Sequence, residues 1–155
     1  MKVHKKIDKI LTALLHTTTN IMPNTCIYLI NKQGYVMMLR CRATRMWMTP
    51  GGKLERGEST WQGMLREFEE ETNTALSTKE CSLLHKAWWR DTCVYVVLLK
   101  YRLPNWFRAT NETTERRFVH YTQLTNSPRV KSYVKKSFEA LGVSRIIESI
   151  TKPQL

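Results

Sequence analysis

Gly52 to Thr74, GKLERGESTWQGMLREFEEETNT, is the stretch on which the reading of this chain turns. Gly52 closes a Pro50-Gly51-Gly52 run, and glycines let a backbone approach its neighbours more closely than a side chain would allow. Ser59 with Gln62 three residues on is a capping-box pattern and predicts a helix start. Trp61, Met64, Leu65 and Phe68 recur at helical spacing, so that face packs on a core. Gly63 inside the helix costs about 1 kcal/mol relative to Ala, which close packing against a strand would explain. Asn73 ends the helix as a left-handed cap. Glu67, Glu70 and Glu71 share a second face, and Glu69 adds a fourth carboxylate, which reads as solvated. Only Arg66 offsets them nearby. Like charges at this spacing cost about 0.2–0.5 kcal/mol per pair, and a helix C-terminus disfavours anions. A divalent cation is the simplest group that would offset such a face.

Working outward, Thr25–Ile30 and Tyr35–Cys41 read as buried strands joined by a turn at Asn31–Gly34. Met46–Thr49 is a short third strand. Ser82–Trp89 and Thr92–Arg102 are two more, the second rich in β-branched and aromatic residues. Pro104–Thr114 reads as a loop and Arg117–Tyr121 as a strand. Ser127 and Pro128 open a helix to about Leu141, basic through Arg129, Lys131, Lys135 and Lys136, and a further helix covers Ser144–Ile150. Before all this, Val3, Ile7, Ile10, Leu11, Leu14 and Leu15 predict an amphipathic helix over residues 2–16. Its apolar face is expected on the domain and its basic face outward; membrane or partner binding is the alternative. Thr17–Asn20 and Pro23 then make a linker. This order of elements indicates an α/β fold, an α/β/α sandwich around a mixed sheet, in a single domain over residues 1–155.

Lys and Arg number 25 against 13 Asp and Glu, a net charge of +12. An acidic helix in so basic a chain divides the work: carboxylates for metal, cations for a polyanion. Arg40, Arg42 and Arg45 beside Trp47 are either a solvated rim or a phosphate clamp. Cys26, Cys41, Cys81 and Cys93 form no CxxC pair, which argues against zinc. Three of them lie in apolar runs, where Cys acts as a small hydrophobe. A reducing, cytoplasmic or nuclear setting is expected. No apolar run reaches membrane-spanning length, and Asp8 and Thr12 argue against reading the N-terminus as a signal peptide.

The stretch resembles the Nudix box, G-x5-E-x7-R-E-U-x-E-E-x-G-U, with U bulky and apolar. Gly52, Glu58, Arg66, Glu67, Phe68, Glu70 and Glu71 match in register. Asn73 stands where the family has glycine and Thr74 where it has an apolar residue; neither touches the carboxylates. The resemblance implies a Nudix-type α/β/α sandwich and a phosphoanhydride hydrolase using Mg²⁺ or Mn²⁺. It implies that Glu67, Glu70, Glu71 and the Gly52 carbonyl hold metal. Glu67 is the leading general base, and Glu58 and Arg66 brace the loop against the helix. The implied catalytic set is therefore Glu67, Glu70 and Arg66, with another acid from a later loop. For that acid Glu115 is preferred over Glu112, an ordinary surface pair with Arg116 being the bland alternative for it.

The box gives the reaction and not the leaving group. Arg40, Arg42, Arg45, Lys53, Arg56 and Arg90, with Lys131 and Lys135 of the basic C-terminal helix, are the candidates for holding an anionic substrate. The expected substrate is a diphosphoinositol polyphosphate, a dinucleoside polyphosphate or a capped RNA, in line with a similarity to diphosphoinositol polyphosphate phosphohydrolases and mRNA-decapping members. The alternatives are a nucleotide-pool or ADP-ribose-type pyrophosphatase and a non-catalytic RNA-binding module. Trp47, Trp88, Trp89 and Trp106 are available for stacking a base, although aromatics of this kind also build cores.

Overall fold

The computed structural model describes residues 5–12 and 22–152. The strands are β1 (Asn24–Ile30), β2 (Tyr35–Cys41), β3 (Trp47–Met48), β4 (Gly51–Lys53), β5 (Cys81–Trp89), β6 (Thr92–Leu99) and β7 (Thr113–His120). The helices are α1 (residues 5–12), α2 (Thr60–Thr72), α3 (Tyr121–Leu124), α4 (Ser132–Ala140) and α5 (Val143–Thr151). The strands form one seven-stranded mixed sheet in the order β3-β2-β1-β6-β5, with β4 added to β1 and β7 to β2. This is the expected α/β/α arrangement.

β1 is the axis of the sheet. It runs parallel to β6 over its whole length and antiparallel to β4, but meets β2 only at Ile30–Val36, so the hairpin splays beyond its turn. Both faces of β1 are covered, which is why TCIYLI is an uninterrupted buried run and not an alternating one. On one face the Thr25 hydroxyl donates to the Thr60 carbonyl at the start of α2 (3.1 Å). On the other, the Tyr28 hydroxyl donates to the Val134 carbonyl of α4 (2.8 Å) and its ring tilts against Phe138. Met64 and Phe68 of α2 are fully buried, and Trp61 and Leu65 pack at the edge of the same core.

Four expectations are corrected. β7 begins at Thr113, not Arg117, because the polar Thr113–Arg116 run pairs with β2 from Cys41 onward. α4 begins at Ser132, not Ser127. The Arg129–Lys131 segment instead lies along Trp47, which donates to the Arg129 carbonyl (2.8 Å) and accepts from the Lys131 N–H (2.9 Å). Gly63 faces Leu54 of the preceding loop, not a strand. The last correction concerns α1. Residues 5–12 are helical, and the rest of 2–16 lies outside the described residues, as do 17–21 of the linker. Ile7 (50%) and Ile10 (52%) are exposed, whereas Asp8 and Thr12 are buried. Asp8 turns inward because it finds partners there: Lys86 at 2.6 Å, the Thr60 hydroxyl, and the Tyr95 hydroxyl at 3.3 Å. These partners satisfy the buried carboxylate, and the apolar side chains of Ile7 and Ile10 are left in water.

Candidate active site

The loop and helix of the box are fixed to one another by Arg66. Its Nε and Nη2 donate to the two oxygens of Glu58 at 2.8 and 2.9 Å, a bidentate fork, and Nη2 also donates to the Lys53 carbonyl at 2.9 Å. Nη1 reaches Glu67 at 3.0 Å and Glu70 at 3.2 Å. The fork, more than its charge alone, holds the Glu58 carboxyl below the usual carboxylate range. The helix start is set by Ser59 and Gln62, whose reciprocal capping box is present. Its end is set by Asn73 in the left-handed region (φ 54°, ψ 25°), with the Asn73 amide donating to the Arg108 carbonyl at 3.2 Å.

The carboxylates differ sharply in setting. Glu71 is 1% exposed and accepts the Gly51 N–H at 2.8 Å. Burial, with Glu67, Glu112 and Glu70 nearby, pushes its carboxyl up to about 8. Glu67 is half-buried against Gly52, where a Cβ would collide with its carboxylate, and burial raises its pKa against the pull of Arg66. Glu70 is half-exposed at 52% and Glu69 faces solvent. Gly51 and Gly52 sit in β4 against Cys26 and Thr25 of β1, and at Gly51 a Cβ would meet the Thr25 carbonyl. Close approach of the β1 backbone therefore requires glycine at Gly51, whereas at Gly52 a side chain would displace the Glu67 carboxylate.

Of the two later acids, the structure brings Glu112 to the box. The Thr113 hydroxyl donates to the Glu71 carbonyl at 2.6 Å, tying the start of β7 to α2. Glu112, next to it, lines a cavity of about 470 Å³ with Glu71, Gly51, Arg42, Lys131 and Tyr133. Glu115 lies further along β7, opposite Arg40, and pairs with Arg40 at 3.0 Å and Arg117 at 3.5 Å. Glu112 had no local signal favouring it; only the pairing of β7 with β2 selects it.

The candidate cations divide. Arg42 and Lys131 line the Glu71 cavity, with Arg42 held by the Thr110 carbonyl at 2.9 Å and Lys131 by the backbone pairing with Trp47. Arg90 lines a second cavity of about 390 Å³, which shares Gly51 and Tyr133 with the first. There Arg90 lies over the Trp89 ring at 4.6 Å, on a tight turn with φ 54°. Arg40 is engaged by Glu115, Lys135 donates to the Ser127 carbonyl at 3.1 Å, and Arg45 and Lys53 are exposed outside both cavities. Cys41 also lines the first cavity. Burial pushes its thiol up, but hydrogen bonds from the Thr44 side chain and nearby backbone outweigh this and bring it down to about 7.

Among the described residues, no three His, Cys, Asp or Glu side chains converge as they stand to hold an ion. The donor set nevertheless fits a hard divalent cation. Glu71 is buried and makes no ion pair among the described residues, Glu67 and Glu112 add like charge, and Gly52 leaves room for the Glu67 carboxylate.

A mixed sheet between helices, with a glycine-led loop and an acidic helix held by an arginine fork, defines the Nudix class of domain. A profile described as the NUDIX domain matches residues 21–141, and this chain belongs to that family. Among solved structures, the MutT protein of Methanosarcina mazei Go1 is 18% identical, with TM-score 0.58, covering 80% of this chain and 94% of that one. The E. coli dihydroneopterin triphosphate pyrophosphohydrolase is 14% identical with TM-score 0.61, covering 80% and 99%. These similarities concern the fold. RNA pyrophosphohydrolases of Klebsiella pneumoniae and Escherichia fergusonii are each 40% identical over 62 residues, or 40% of this chain and 34% of theirs. The chain thus spans about a third of the length of the curated relatives it matches. No described helix is long and apolar enough to cross a membrane.

Proposed function

We propose that this chain is a metal-dependent pyrophosphohydrolase that breaks a diphosphate linkage at the 5′ end of an RNA. Water adds to one phosphorus, the P–O–P bond breaks, and two phosphate-ended products leave. The observation that carries the reading is the meeting of like charges: Glu71 and Glu112 line one cavity together with Arg42 and Lys131, and the charges of Glu67 and Glu70 also act on Glu71. Carboxylates gathered in this way suit a cation, and the cations lining the same cavity suit phosphates.

In this reading Glu67, Glu70, Glu71 and the Gly52 carbonyl hold Mg²⁺ or Mn²⁺, with Glu112 as the added acid. The metal, when bound, screens the phosphates and makes water more acidic. Glu67, half-buried with its basicity raised by burial, accepts the proton of the attacking water. Arg66 keeps Glu67 and Glu70 in place from behind. Arg42 and Lys131 orient the anhydride oxygens.

The adjoining cavity supports RNA over the inositol alternative. Trp89 and Arg90 border it, and a base gains from an aromatic or guanidinium face where an inositol ring does not. The similarity to RNA pyrophosphohydrolases points the same way. The test is one panel with purified protein in Mg²⁺ and in Mn²⁺: 5′-triphosphorylated and capped RNA, inositol pyrophosphate, Ap4A, ADP-ribose and nucleoside triphosphates. The proposal expects the highest kcat/KM on an RNA. Faster turnover of inositol pyrophosphate or ADP-ribose would overturn the substrate, and tight RNA binding with no product in either metal would replace the enzyme with a binding module.

A further inference from the structure

A larger cavity, about 710 Å³, opens at the other end of β2 from Cys41, where the β1–β2 turn, the chain after β6 and the face of β7 meet. β2 runs from Tyr35 to Cys41, so the two sites stand roughly 20 Å apart at about 3.3 Å per strand residue. Lys32, Lys100, Arg102 and Arg116 line this cavity together with Tyr35 and Phe118, and among the described residues no Asp or Glu lines it. Four cations without a carboxylate set up a positive field in a concave wall, which concentrates an anion.

Arg116 is the most informative of them. It is half-buried, and burial alone pulls its guanidinium pKa down. No carboxylate among the described residues pairs with it. Its Nη2 donates to the Pro104 carbonyl, and its guanidinium stands 6.0 Å from the centre of the Phe107 ring. A partly desolvated arginine left without a counter-charge is costly unless an anion completes it. Tyr35, 40% exposed and braced edge-on by the His120 ring at 5.2 Å, offers a fixed aromatic face beside those charges.

We propose that this cavity is a second, non-catalytic site that takes a nucleotide unit of single-stranded RNA, the phosphate on Arg116, Lys100 and Lys32 and the base on Tyr35. Positively charged grooves with aromatic platforms bind single strands in this manner, largely without regard to sequence. The wall is open, so a strand can enter and leave it. That the site holds the body of a substrate RNA rests on the RNA reading of the active site; the binding itself does not.

The experiment measures binding of a 5′-hydroxyl oligoadenylate, which carries no diphosphate, to the full chain in EDTA across a salt series. AMP and inorganic phosphate are run beside it. Wild-type protein should bind the oligonucleotide. K32Q/K100Q, two exposed positions, should weaken it at least tenfold and flatten the salt slope by about 1.4, two phosphate contacts at 0.7 each. Tyr35→Ala should cost about tenfold more than it does for inorganic phosphate. AMP competing at equal strength would make a free nucleotide the occupant of the same site; AMP much weaker than the oligonucleotide assigns it to RNA. No oligonucleotide binding, or binding whose affinity and slope survive K32Q/K100Q, overturns the site. Turnover of Ap4A or another short active-site substrate should be unchanged in K32Q/K100Q, which separates this outcome from a failure of the catalytic reading.

Discussion

Arg66→Lys isolates what the guanidinium fork contributes. Lysine keeps the charge but offers a single ammonium in place of a planar pair of donors. In the folded protein Arg66 is 21% exposed and its Glu58 partner 16%, so the pair is shielded but not dry. Breaking a fully buried pair costs about 3–5 kcal/mol, and a hydrogen bond to a charged group contributes about 1.5–3 kcal/mol. Replacing two bonds to Glu58 and one to the Lys53 carbonyl by one ammonium contact should therefore cost about 2–3 kcal/mol. For a chain of this size that is a fall in Tm of about 4–12 °C. Urea and thermal unfolding measure it directly. A double-mutant cycle with Glu58→Gln should give a coupling energy of about 1–3 kcal/mol. An Arg66→Lys change within about 0.5 kcal/mol of wild type, the range of an ordinary surface substitution, would refute the claim that this fork joins loop to helix.

Three other outcomes follow from the same geometry. Gly52→Ala should leave Tm nearly unchanged, since only the flexible end of Glu67 must move aside, yet lower kcat about 100-fold by displacing that carboxylate; full activity would remove Gly52 from the site. Asn73→Val should cost about 1–2 kcal/mol in urea unfolding, because a β-branched residue does not tolerate φ 54°, whereas Asn73→Gly should stay within about 0.5 kcal/mol. Cys41 should be alkylated by iodoacetamide with a rate that rises with pH through about 7 as its thiolate forms, while Cys26 and Cys93, pushed up to about 12 and about 11, stay unlabelled. A midpoint near 8.5, read by mass spectrometry of the labelled peptide, would contradict the lowered thiol.

What the sequence made legible was what local rules control. Ser59, Gln62, the Trp61–Phe68 stripe and Asn73 each act within a turn or two of their own backbone, so α2 and its caps could be placed residue by residue. The buried strands announced themselves by composition. The failures share another cause: partners distant in sequence. Thr113 and Thr114 read as loop, and Glu115 and Arg116 lie short of the expected strand, until the run is paired with β2; that pairing carries Glu112 to Glu71 and leaves Glu115 with Arg40. Gly51 and Gly52 read only as a glycine run after the short third strand, but β1 takes them as a strand. Helical periodicity predicted that Ile7 and Ile10 would face inward; three polar partners on α2, β5 and β6 turned Asp8 in instead. Among the cations, charge alone could not separate Arg42 and Lys131, which reach the cavity, from Arg40 and Lys135, which are used elsewhere.

The most direct test of the central claim is the rate of phosphate or pyrophosphate release from 5′-triphosphorylated RNA in Mn²⁺, wild type against Glu70→Gln. Glu70 is half-exposed and its contact with Arg66 is a surface pair, worth no more than about 1 kcal/mol, so the variant should fold and melt as the wild type does. A fall of 100-fold or more in kcat, with Tm unchanged and wild-type activity abolished reversibly by chelation, is the predicted result. Equal rates in the two proteins, or turnover that persists in EDTA, would contradict a metal-holding role for the acidic helix.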